Sequence, residues 1–125
     1  MFKFFRKRKY NLTLNRVHDS VTIKEGTDTL DLRVEGDPDR IIAGLTTANK
    51  ALRAINDNST EEETRNAARM LAACIFGEEQ ADKLLAFYHE DPGCVIRACS
   101  QYFSKRLSHL ITDAQKKRRE ADERE

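Results

Sequence analysis

Between Leu12 and Glu35 apolar residues recur at every second position: Leu12 and Leu14, then Val21 and Ile23, then Leu30, Leu32 and Val34. That period predicts short β-strands, each burying one face and wetting the other. Thr29, Asp31, Arg33 and Glu35 interleave with the last apolar set, and Glu25, Gly26, Thr27 and Asp28 supply a hairpin turn. From Asp37 onward the period changes. Asp37 before Pro38 starts a helix, because the carboxylate accepts from free backbone amides and proline suits the first helical position. Ile41, Leu45, Ala48, Leu52 and Ile55 then form one stripe along a helix ending near Asn56. Ser59 with Glu62 is a capping-box pair for a second helix, whose face carries Ala67, Met70, Leu71, Cys74 and Ile75 and whose stop is Gly77. A short third helix from about Glu78 to Tyr88 turns Ala81, Leu84, Leu85 and Tyr88 to one side. Asp91 and Pro92 open the last and longest helix, in which Val95, Cys99, Tyr102, Phe103, Leu107, Leu110, Ile111 and Ala114 keep helical spacing without a breaker.

These elements predict an α+β fold, mainly α: a small N-terminal hairpin followed by about four helices forming a bundle. Residues 11–114 form the single folded domain. Residues 1–10 (MFKFFRKRKY) mix Phe2, Phe4 and Phe5 with five cations and build no clean apolar face, so a flexible basic aromatic arm is expected there. Residues 115–125 carry charges of both signs on good helix formers and are expected to extend the last helix or to fray.

At 125 residues the chain is long enough for one sizeable core. Its charged fraction of 34% exceeds the usual quarter or so, yet the net charge is only +1. Binding to a polyanion would therefore come from a local cluster, and Lys3, Arg6, Lys7, Arg8 and Lys9 are the candidate nucleic-acid contacts. Cys74, Cys94 and Cys99 are odd in number and form no C-x-x-C pattern, which fits a reducing cytoplasm. No apolar run follows the basic start as in a secretion signal, and none reaches the 18 or so residues that span a bilayer.

The residues that carry chemistry are not grouped as chemistry needs. No serine stands in a nucleophile elbow, and none of the five glycines lies in a phosphate-cradling loop. His18, His89 and His109 are scattered, and Cys94 and Cys99 point about 140° apart on a helix, so no metal or cofactor site is expected. Cys74 and Cys99 lie on apolar stripes, where cysteine behaves as a small hydrophobe. His89, Glu90 and Asp91 fall between two helices and are read as capping and turn residues. The reading is a protein that is not an enzyme.

From Phe76 to Lys117 the chain reads FGEEQADKLLAFYHEDPGCVIRACSQYFSKRLSHLITDAQKK. Together with the alternating strand Leu30–Glu35 and the helix opened by Asp37 and Pro38, this order of parts resembles the tail assembly chaperones of long-tailed bacteriophages and prophages. The resemblance covers about the last three-quarters of the chain and rests on caps and apolar spacings. It implies a mainly helical, non-catalytic protein of the bacterial cytoplasm. Such a protein binds the very long tape measure protein and keeps it soluble until tail tube subunits polymerise around it. The family often has a short and a frameshift-extended form, and the charged end Lys116–Glu125 suits the short one. By position on the matching helices, Leu84, Leu85, Tyr88, Tyr102 and Phe103 are the expected contacts with the client, with the tail tube protein or with a second copy. The long amphipathic last helix points to a homo-oligomer. The arm and the strands before Thr29 have no counterpart in that pattern, and the arm carries the alternative reading: a small nucleic-acid-binding or regulatory protein of a mobile element.

Overall fold

A computed structural model describes residues 15–123. The basic segment 1–10 and the expected strand at Leu12 and Leu14 lie outside them. The alternating residues form one antiparallel hairpin, β1 (Val17–Glu25) and β2 (Asp28–Gly36), in register from Val17 opposite Gly36 to Glu25 opposite Asp28. The two-residue loop has Gly26 at φ 63°, the left-handed conformation that such tight hairpins need at their first loop position. Val17, Leu32 and Val34 are buried, while Thr29, Asp31, Arg33 and Glu35 face solvent.

Four helices follow, as the apolar periods predict. Helix α1 (Pro38–Arg53) starts at Asp37, whose carboxylate accepts from the Arg40 amide at 3.1 Å. Helix α2 (Glu61–Phe76) is capped one residue later than expected. Thr60 and Glu63 form the capping box, with the Glu63 amide donating to Thr60 Oγ1 at 3.0 Å and the Thr60 amide to Glu63 Oε1 at 3.1 Å. Two such pairs overlap in the sequence, and Ser59 is taken up by the preceding turn, where its hydroxyl accepts from the Asn56 amide at 2.9 Å. Gly77, at φ 88°, ends α2 and begins α3 (Glu78–Phe87). His89 and Glu90 both adopt positive φ, and Asp91 accepts from the Gly93 amide at 2.9 Å to start α4 (Pro92–Tyr102). The capping role read for that segment is what the backbone uses.

The final helix is continuous but not uniform. Residues Phe103–Leu107 form a π turn, and α5 (Ser108–Glu123) continues from it. In an unbroken α-helix Leu107 would lie roughly 80° away from Cys99 around the axis, whereas one residue absorbed by a π turn brings it back to about 20°. Val95, Cys99, Leu107, Ile111 and Ala114 thereby share the buried side, and Phe103 is left 37% exposed.

Helix α2 is the hub. It packs on α1, α3 and α4, and its small residues Ala67, Ala68 and Ala72 are buried beside Leu71 and Ile75. Met70, expected on that face, is instead 42% exposed. Helices α1 and α2 approach closely at Gly44 of α1, where a Cβ would stand 2.6 Å from the Cβ of Cys74. The charged end continues the helix as far as Glu123: Arg118 Nη2 donates to Asp37 Oδ1 at 2.5 Å and Nη1 to Asp39 Oδ2 at 3.0 Å, holding α5 on the start of α1.

Candidate functional site

The expected contact residues divide by burial. Leu84 and Leu85 are 0% and 3% exposed. They are core side chains, because α3 turns its one apolar face inward against α2, and they offer nothing to a partner of the folded protein. Tyr88 is half-buried, packed edge-on against Phe87. Tyr102 is also half-buried, stacked on Phe76 with ring centroids 5.8 Å apart. Phe103 is the candidate that faces outward. Lys3, Arg6, Lys7, Arg8 and Lys9 lie outside the described residues.

Phe103 stands at the rim of a cleft of about 160 Å³ between α1, α2 and α4. Leu45 and Leu52 of α1, Leu71 and Ile75 of α2 and Cys99 of α4 line it, and Asn49 and Ser100 add its polar lining. Ile42, 38% exposed, lies on the same side of α1 as Leu45, one turn toward its start. Leu45 and Leu52 are only partly buried, so this part of the α1 stripe is left open to the cleft.

A polar junction lies on the other side of α4. Asp19, in β1, is on the strand's inward face between Val17 and Val21, and its side chain is 6% exposed. It accepts from Arg106 Nε at 2.6 Å, from Arg106 Nη2 at 2.8 Å and from the Tyr102 hydroxyl at 2.8 Å. The Arg106 hydrogen bonds hold the Asp19 carboxyl below its ordinary range, against the opposing effect of burial. Burial, and then the bond to Asp19, push the Tyr102 phenol up. The periodic pattern did contain a signal for this junction, a carboxylate at an inward strand position, but its partners are more than 80 residues away in sequence. Gln80 of α3 was equally unforeseen: its side-chain amide accepts from the Arg33 amide at 2.8 Å and donates to the Arg33 carbonyl at 2.7 Å, closing the outer edge of β2.

Burial pushes the Cys74 thiol up to about 11 and the Cys99 thiol to about 12, which disfavours the nucleophilic thiolate at neutral pH. Among the described residues no three His, Cys, Asp or Glu side chains are grouped to hold a metal ion. Among the same residues no helix is long and apolar enough to cross a membrane. Comparison of the chain with protein-family models, with curated proteins and with solved structures finds no match in any of the three.

Proposed function

We propose that the chain is a non-catalytic chaperone of the phage tail assembly type, which binds the long helical tape measure protein and keeps it soluble until tube subunits enclose it. The observation that carries this reading is the apolar cleft with Phe103 at its rim. A cleft between helices, lined by aliphatic side chains and edged by an aromatic one, suits an apolar side chain on the face of a client helix. The mixed-sign surface charge supports it further, since it would keep a complex with an apolar client in solution. Tail tube protein and a second copy of the chain are the further partners that belong to this reading.

Its test is co-expression of the chain with the tape measure protein from the same gene cluster. The wild-type chain is expected to hold the client in the soluble fraction, and Phe103→Asp, at an exposed site, is expected to lose it while remaining folded. A folded Phe103→Asp variant that still holds the client would overturn the reading. The second reading, nucleic-acid binding through Lys3, Arg6, Lys7, Arg8 and Lys9, is favoured by the composition of that segment. It requires binding that falls steeply with salt and disappears on deletion of residues 1–10. Binding through the cleft survives both.

A further inference from the structure

The two edges of the hairpin differ. Arg33 has both its amide and its carbonyl bonded to Gln80, so its backbone polar groups point away from β1. Arg33 opposite Ser20 is therefore a pair without mutual hydrogen bonds, and by alternation so are Asp31 opposite Thr22 and Thr29 opposite Lys24. Ser20, Thr22 and Lys24 accordingly direct their N–H and C=O groups to the outer edge of β1. Gln80 closes the β2 edge at Arg33. On the β1 edge the Ser20 amide is engaged by the Asp19 carboxylate, whereas among the described residues no hydrogen bond occupies the outward backbone groups of Thr22 and Lys24.

Beside that open edge runs a groove of about 540 Å³ between β1 and α4. Val21, Ile23 and Ala98 give it an apolar floor, and Lys24, Arg97 and Lys105 line it with positive charge. Those three cations have no ion-pair partner among the described residues, and Glu25 is the acidic side chain among its lining. Arg106 also borders the groove, with its charge matched by Asp19.

We infer that this groove binds an extended acidic peptide segment of a partner protein as a third strand on β1. Backbone hydrogen bonds to Thr22 and Lys24 would hold it, alternate side chains would meet the apolar floor, and carboxylates would meet Lys24, Arg97 and Lys105. Five residues of β1, Val21–Glu25, border the groove, so the segment it takes is about five residues, roughly 17 Å, long. The positive lining selects an acidic segment and disfavours the basic stretch Lys3–Lys9 of the chain itself. This site is separate from the Phe103 cleft, and it does not depend on the client proposed there.

The test uses the whole chain and a fluorescein-labelled acetyl-Glu-Val-Glu-Val-Glu-amide, with a Lys-Val-Lys-Val-Lys counterpart and an acidic version N-methylated at alternate residues. Anisotropy is expected to show the acidic peptide binding at least about ten-fold tighter than either control. Amide exchange at Thr22 and Lys24 is expected to slow on its addition. Arg97→Glu combined with Lys105→Glu, at exposed positions, should weaken the acidic peptide. Thr22→Pro, which removes an outward amide and no ladder bond, should abolish binding, and Phe103→Asp should leave it unchanged. Equal binding of all three peptides, no binding of the acidic one, or exchange effects confined to residues outside β1 would overturn the inference. Concentration-dependent protection of the same two amides without peptide would also overturn it, by showing that a second copy occupies the edge.

Discussion

Asp19 shows how one residue can link distant parts of a small fold. Its carboxylate is nearly enclosed, and three hydrogen bonds from Tyr102 and Arg106 replace the water it loses. Tyr102→Phe keeps the ring stacked on Phe76 and removes one donor, so it should cost about 1 kcal/mol in urea unfolding at neutral pH. Asp19→Asn should cost more, because a charge-assisted pair becomes a neutral one. The pH dependence has a definite sign. The folded-state value for Asp19 is depressed below 3.8, so its contribution is complete above the unfolded value and is lost as pH falls through the folded one. The stability gap between wild type and Asp19→Asn should therefore be widest near neutral pH and shrink below about pH 4. A gap constant down to pH 2 would show that the substitution acts through packing alone.

At the scale of elements, the signals that were legible in the sequence are local ones. Asp37–Pro38, Gly77 and Asp91–Pro92 mark helix boundaries because a cap needs only its own neighbours, and the same holds for the Gly26 turn. The π turn was not legible, since each half of the last helix keeps a good apolar spacing and only the shared buried face requires one residue to be absorbed. The helix seam at Gly44 was equally hidden, because it depends on which residue of α2 lies opposite. Gly44→Ala would gain up to about 1 kcal/mol in helix propensity. The new methyl, 2.6 Å from the Cys74 Cβ, should outweigh this and leave a net loss of about 1–2 kcal/mol in thermal unfolding. Cys74→Ala should not rescue it, since the crowded atom is the Cβ itself, whereas Cys74→Gly should. On α5, Arg118→Ala should leave the core intact and speed amide exchange over residues 115–123, where the helix is held by Asp37 and Asp39. Unchanged exchange there would mean that the charged end is helical without its anchor.

For the whole molecule the question is which surfaces remain once the core is complete, and burial changes the answer that periodicity suggested. Leu84, Leu85, Tyr88, Tyr102 and Phe103 share helices with good apolar spacing, but spacing identifies a face without saying whether another helix or a partner covers it. In the fold α2 covers Leu84 and Leu85, the hairpin and Phe76 engage Tyr102, and Phe103 stays at the surface. Aspartate substitutions separate the two roles. Leu85→Asp places an unpaired charge at a site 3% exposed and should unfold the chain, so any loss of binding in that variant would carry no information about an interface. Phe103→Asp places the charge at the cleft rim, where water reaches it, and should leave the midpoint of thermal unfolding within a few degrees of wild type. If circular dichroism shows Phe103→Asp folded and the client still precipitates, the cleft is the binding surface. If the client stays soluble, the apolar cleft has no part in holding it, and the helical contact must be sought on another face.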